Sequence, residues 1–190
     1  MTKNSLPLSQ LTLSALFTAL IAIMAQVAIP MPFSPVPFTG QTVGVMMTGA
    51  LLEKKPAGLA VFSYLLIGAA GAPVFSMARG GISMLIGPTG GYLLAFIPAV
   101  LIISFVLEKI KKPSLINLTM AMLPALILIY ALGASQLAFL MHYSINQALL
   151  VGVLPFIPFD LLKIAIAAFL SLQIKSRLRE NKPDHDSRFH

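Results

Sequence analysis

Six apolar stretches dominate the chain, at about residues 8–29, 38–52, 56–72, 89–107, 115–141 and 145–174, and nearly every charge lies at their ends. A stretch of about 20 apolar residues crosses a bilayer as a helix, because only internal hydrogen bonding satisfies the backbone there. The chain is 57% hydrophobic and 10% charged, where an ordinary soluble domain carries about 25% charged residues. It therefore reads as an all-α integral membrane protein. Its 190 residues suit one six-transmembrane-helix bundle over residues 1–180, with a polar and disordered tail expected over 181–190. The second and third stretches fall short of a straight crossing and are rich in Gly and Ala. Such helices pack among neighbours rather than face lipid. The first stretch is longer than a signal-peptide core and has no clear cleavage site before Pro30, so it is expected to stay as a span.

The cations orient this bundle. With the N-terminus inside, Lys3, Lys54, Lys55, Lys109, Lys111, Lys112, Lys175, Arg177, Arg179 and Lys182 all fall on the inner side. The outer connections at residues 30–37 and near His142 carry no Lys or Arg. The positive-inside rule thus predicts an N-in, C-in, multi-pass protein of the cell membrane. A four-span drawing, with the second and third stretches as a hairpin dipping in from outside, would place Glu53, Lys54 and Lys55 in the bilayer at high cost. The net charge of +7 is spread over span ends and forms no basic patch, which argues against nucleic acid.

Arg79 alone breaks the pattern, in an outer connection with glycines and aromatics nearby and no acidic residue close in sequence. It is either a solvated loop residue or a guanidinium placed to grip a carboxylate. Asp160 and Lys163 lie inside the last apolar stretch, three residues apart, a spacing that puts both on one helix face. Each charge costs roughly 2.5–3.5 kcal/mol at membrane depth on insertion scales. They are either a mutually neutralised packing pair or a site for a polar ligand. In the first stretch, Ser14, Thr18 and Ala22 form one row of small residues and Ala15 and Ala19 the adjacent one. Such rows serve internal packing or an external docking groove for a partner subunit.

The connections are unusual. Residues 30–38, Pro-Met-Pro-Phe-Ser-Pro-Val-Pro-Phe, are apolar and expected to be extended, a strip suited to folding over something. Gly87-Pro88-Thr89-Gly90-Gly91-Tyr92 reads as a turn into the fourth span. Pro155 and Pro158 are expected to break or bend the start of the sixth span and free backbone groups to face a ligand. Several chemistries are disfavoured. There is no cysteine, hence no disulfide or thiolate zinc site. His142, His185 and His190 have no metal-ligand spacing, and no nucleophile–base pair stands out. No cofactor is expected. The Walker pattern Gly-x4-Gly-Lys-Ser/Thr is absent from the sequence, so any nucleotide hydrolysis falls to another chain.

The segments Val36-Pro37-Phe38-Thr39-Gly40-Gln41-Thr42, Pro73-Val74-Phe75 through Arg79-Gly80-Gly81, Gly87 to Tyr92, and Pro158-Phe159-Asp160 with Lys163 together resemble the BioY family. These are the biotin-binding S components of energy-coupling factor (ECF) transporters. The resemblance runs from about residue 8 to 174. It implies a six-helix bundle whose vitamin pocket lies near the outer face, capped by the loops after spans one and three. It implies as partners biotin, a transmembrane coupling subunit, ABC-type ATPase subunits and the lipid bilayer. Ala15 and Ala19 match the family's docking row for the coupling subunit. Asp160 and Lys163 match pocket positions most firmly, with Gln41, Phe75, Arg79 and Tyr92 less so.

The chemistry of biotin suits these residues independently. Its ureido ring has two N–H donors and one carbonyl, which a carboxylate and an ammonium complement. Its valerate carboxylate would meet Arg79, or the molecule would lie the other way round. Phe38, Phe75 and Tyr92 would wall the apolar part. The expected function is high-affinity biotin binding for uptake, energised in trans, with no enzymatic activity. The competing readings are an S component for another small vitamin, and a membrane scaffold or enzyme in which Asp160 and Lys163 are only structural.

Overall fold

A computed structural model describes residues 6–110 and 114–180, without the side chains of 178–180. The expected tail at 181–190, with His185, His190 and Lys182, lies outside the described residues, as do Lys3, Lys111 and Lys112. Helices α1 (Leu8–Gln26), α2 (Gln41–Leu51), α3 (Lys54–Ala69), α4 (Ser83–Ile86), α5 (Gly90–Glu108), α6 (Leu115–Met141), α7 (Ile145–Gly152) and α8 (Ile157–Glu180) make up the bundle. Four of them, α1, α5, α6 and α8, are long and apolar enough to cross a membrane. At 1.5 Å per residue, α2 and α3 reach only about 16 and 24 Å. α2 is sequestered, with every residue but Val43 and Leu51 buried, whereas α3, against expectation, buries fewer than half of its residues and exposes Phe62 and Leu66.

Small and hydroxylated residues bring these helices into contact. The Ser14 hydroxyl donates to the Pro56 carbonyl at 3.0 Å and Thr18 to the Ala60 carbonyl at 2.9 Å, joining α1 to α3. The Ser14–Thr18 row is therefore internal packing. Ala15 and Ala19 beside it are exposed. They line an open, largely apolar groove between α1 and α3, with an empty volume of about 960 Å³, its open mouth included, together with Leu11, Leu59 and Ile67. The α2–α5 contact is made at Gly49, whose carbonyl accepts from Ser104 at 3.0 Å. The exposed surface of the long helices is apolar, with Leu16, Ile23, Ile127, Phe139 and Phe169 all more than half exposed. In a chain this apolar, such faces fit a hydrocarbon solvent.

Three expectations are corrected. The sixth stretch, drawn as one span from 145 to 174, is two helices separated at 153–156. Pro155 and Pro158 lack amide hydrogens, and Pro158 fits only because it falls in the first turn of α8. The first stretch does not stay helical to residue 29. α1 ends at Gln26, and strand β1 (Ala28–Ile29) pairs antiparallel with β2 (Phe38–Thr39). Among the described residues the regular structure is thus helical except for this two-residue pair and an isolated bridge between Phe75 and Arg79. The segment between the strands is not extended throughout: it turns at Pro32–Phe33, where the Ser34 amide donates to the Met31 carbonyl at 3.3 Å.

Ion pairing gathers one set of helix ends. Lys54, at the start of α3, meets Glu108, at the end of α5, at 2.9 Å. Gln10, early in α1, donates to Glu53 at 3.2 Å. The amines of Lys54 and Lys109 lie 4.3 and 4.0 Å from the centre of the Phe105 ring. At the α2–α5 contact, a Cβ on Gly49 would stand 2.8 Å from the Ile103 Cβ and 3.1 Å from the Val100 carbonyl oxygen. Gly49→Val should therefore destabilise the detergent-solubilised protein by about 1–3 kcal/mol through overpacking. Thermal unfolding checks this, with Gly58→Ala as the control, since its Cβ meets only the end of the Leu101 side chain at 3.3 Å.

Candidate ligand-binding site

The break between α7 and α8 is what carries a charge into the bundle. α8 starts just before Asp160, whose amide donates to the Phe156 carbonyl at 2.8 Å. The carboxylate thus sits in the first turn, where the helix dipole favours negative charge. One turn on, the Lys163 amine donates to Asp160 Oδ1 at 2.7 Å. From α6, the Tyr130 hydroxyl donates to Oδ2 at 2.6 Å. Asp160 and Lys163 are only 5% and 8% exposed. Burial at that level is tolerated because the pair is neutral overall and each carboxylate oxygen has a donor.

The strap between β1 and β2 closes over this pair. The Phe38 ring centre lies 3.8 Å from the Lys163 amine, a cation–π contact, and the ring packs edge-on against Phe159 at 5.2 Å. Val36, Pro37 and Thr39 of the same strap line a cavity with an empty volume of about 600 Å³, its open mouth included. Its other walls include Gln41 and Thr42 of α2, Thr89, Tyr92, Leu93 and Phe96 from the α5 side, Ile129 and Tyr130 of α6, and Phe156, Asp160 and Lys163. The result is a chamber of mixed walls, apolar at Leu93, Phe96, Ile129 and Phe156 and polar at Gln41, Thr42, Tyr92, Tyr130 and the Asp160–Lys163 pair, a composition suited to a small molecule with apolar and polar parts.

Two further polar side chains are fixed by their neighbours. The Gln41 amide accepts from the Thr39 hydroxyl at 3.1 Å and donates to the Tyr64 hydroxyl, which in turn donates to the Val74 carbonyl at 3.2 Å. The Tyr92 hydroxyl donates to the Gly152 carbonyl at 2.9 Å, at the end of α7. Its ring fits a slot that only glycines leave open: a Cβ at Gly133 would lie 2.2 Å from the ring, and one at Gly152 would lie 2.4 Å from the hydroxyl. The Gln136 amide holds the turn before α5 by donating to the carbonyls of Leu85 and Gly87 at 2.9 and 2.8 Å.

Of the residues expected to contact a ligand, the structure brings Asp160, Lys163, Gln41 and Tyr92 to the cavity wall, with Phe38 behind Lys163. Phe75 is elsewhere. It is fully buried beneath Gly68 and edge-on to Tyr64, outside the cavity lining. Arg79 is exposed and also outside the lining, but its carbonyl accepts from the Phe75 amide at 2.9 Å and so closes a turn whose Ser76 does line the cavity. Tyr130 was not anticipated. Its one signal was a phenol in the middle of an apolar span, where a buried hydroxyl needs a partner. Among the described residues, no group of three or more His, Cys, Asp or Glu could hold a metal.

Comparison with known proteins points in one direction. A family model described as the BioY family matches residues 1–180. The biotin transporter BioY of Thermotoga maritima is 43% identical over 166 residues, covering 87% of this chain and 95% of that protein. A probable biotin transporter BioY of Bacillus subtilis is 37% identical, covering 86% and 89%. The 2.1 Å crystal structure of the S-component for biotin from an ECF-type ABC transporter superposes with a TM-score of 0.84 at 30% identity, covering 93% of this chain and 95% of that one.

Removing the phenol tests the charge network. Tyr130→Phe leaves Asp160 Oδ2 without its hydroxyl donor, and hydrogen bonds to charged groups contribute about 1.5–3 kcal/mol. The ligand-free variant should unfold at a distinctly lower temperature in detergent, whereas Tyr143→Phe, half-buried just beyond the end of α6, should not.

Proposed function

From the premise that this chain belongs to the BioY family, we propose that it binds biotin with high affinity as the substrate-recognising membrane subunit of an ECF-type uptake system. The observation that carries this is the buried Asp160–Lys163 pair at the wall of a cavity with both apolar and polar sides. A carboxylate oxygen has more than one acceptor site, so Asp160 can take the ureido N–H groups while keeping its contacts to Lys163 and Tyr130. Lys163 spends one N–H on Asp160 and retains others for the ureido carbonyl. Leu93, Phe96, Ile129 and Phe156 supply apolar walls for the thiophane ring and alkyl chain. The valerate carboxylate then points toward the turn that holds Ser76 and Arg79.

In this reading the bundle has six crossings, made by α1, α2, α3, α5, α6 and the α7–α8 pair, with both termini inside a cell membrane. The clustering of Lys54, Lys109, Glu53 and Gln10 at shared helix ends supports that orientation, because inner ends collect Lys and Arg. The chain is a transporter subunit and not an enzyme; ATP hydrolysis belongs to separate ABC-type ATPase subunits, reached through a transmembrane coupling subunit. The exposed Ala15 and Ala19 face, with its open groove, is the surface on which that subunit docks.

Biotin should raise the thermal unfolding temperature of the detergent-solubilised chain, since a ligand at 100 times its Kd stabilises the folded state by about 2.7 kcal/mol. Lipoate, thiamine and riboflavin should neither do so nor compete. Asp160→Asn should weaken biotin binding by roughly one to two decades; an unchanged titration would leave the carboxylate a structural partner of Lys163 only. A separate expectation concerns docking. Ala15→Trp or Ala19→Trp should abolish uptake in cells carrying the coupling and ATPase subunits while the isolated chain still binds biotin, and loss of both would assign that face to internal packing.

A further inference from the structure

The connection between α3 and α4 contains a strained turn. Met77 (φ 61°, ψ 36°) and Ala78 (φ 54°) are consecutive left-handed residues, and neither is glycine. Residues with a Cβ are disfavoured in that region and persist there only when their surroundings over-determine it. The turn is also part of the site, because Ser76, immediately before the pair, is buried and lines the cavity.

What holds it is the last residue of α1. The Gln26 side-chain carbonyl accepts from the Ala78 amide at 3.0 Å. Its amide nitrogen lies 3.3 Å from the Phe75 carbonyl and 3.4 Å from that of Pro73, as well as 3.1 Å from that of Ala22 in its own helix. One carboxamide therefore grips the backbone on both sides of Ser76 and Met77. Among the described residues, no other side chain is hydrogen-bonded to the backbone of residues 75–79. The remaining support is the backbone bridge from Phe75 to Arg79 and the seating of the Phe75 ring against Gly68.

We propose that Gln26 is a positioning residue for biotin: it touches no ligand, but by clamping the 75–79 turn it holds the Ser76 wall of the cavity in its binding geometry. The proposal rests on the biotin-binding reading above. It also gives α1 two duties, since the helix that exposes Ala15 and Ala19 ends in the clamp on the cavity wall. A displacement of the end of α1 is thus transmitted to that wall through the Gln26 carboxamide as well as through the packing of α1 on the turn.

A glycine at position 78 separates this role from an ordinary helix-end bond. Gln26→Ala should bind biotin about tenfold more weakly, with faster dissociation, as expected for hydrogen bonds lost from a strained wall. Gln26→Glu keeps the acceptor for the Ala78 amide but loses the donor and turns a carboxylate toward three carbonyls, so it should be no better than Gln26→Ala. Because glycine adopts the left-handed conformation freely, the double variant Gln26→Ala/Ala78→Gly should recover to within about threefold of the unmodified chain. Ala78→Gly alone should bind no more weakly than the double variant. In the ligand-free protein, hydrogen exchange at the Ala78 amide should accelerate in Gln26→Ala. Unchanged affinity or unchanged exchange in that variant would overturn the proposal, as would a loss of affinity that Ala78→Gly does not restore. An unmodified chain that fails to bind biotin would instead overturn the functional reading, and is distinguished by being measured first.

Discussion

A carboxylate and an ammonium can occupy an apolar bundle only if they are brought together and their remaining hydrogen-bonding capacity is satisfied. Around Asp160 this is achieved with groups from three parts of the chain: Lys163 from its own helix, Tyr130 from α6 and the Phe38 ring from the strap laid over the amine. The break before α8 is a precondition, because it places the carboxylate in a first helical turn whose dipole suits it. Removing one member of a buried ion pair typically costs 3–5 kcal/mol, so the same contacts that prepare the site for a ligand also tie α8 to α6 and to the strap.

The cavity is shaped as much by absent side chains as by present ones. Tyr92 reaches the Gly152 carbonyl because Gly133 and Gly152 carry no Cβ to obstruct it. Phe75 fills the space over Gly68 in the same manner. Glycine weakens a helix by about 1 kcal/mol relative to alanine, and in a bundle without a hydrophobic drive between helices that cost is offset by close packing. Polar amides then fasten the connections: Gln136 holds the turn before α5, and Gln41 joins α2 to Tyr64.

Helix positions were legible in the sequence because apolar length and flanking charge are local properties. The pairing of Asp160 with Lys163 was legible for the same reason, since three residues on a helix fix their shared face. Tyr130 was not, because its partner is 30 residues away and only the packing of α6 on α8 brings them together. Phe75 was expected to meet a ligand on the strength of motif position, and Arg79 on that and on being the one cation in an outer connection. Their side-chain directions depend on a left-handed turn at Met77 and Ala78, which nothing in that residue pair announces. The division of the last apolar stretch was signalled by Pro155 and Pro158, but its length concealed a complete interruption. The β1–β2 pair is too short for alternation to reveal it.

The strap over the cavity is joined to itself by only two facing residue pairs, Ala28 with Thr39 and Ile29 with Phe38, and by the Gly40 amide donating to the Val27 carbonyl at 2.8 Å. The helices beneath it are secured along their whole lengths. Free energies of local opening span a wide range within one protein, and weakly anchored segments occupy the low end. By that measure the strap would open at lower cost than the helices beneath it. Lys163, which attracts the Phe38 ring as well as lying beside the chamber, is what ties the strap to α8.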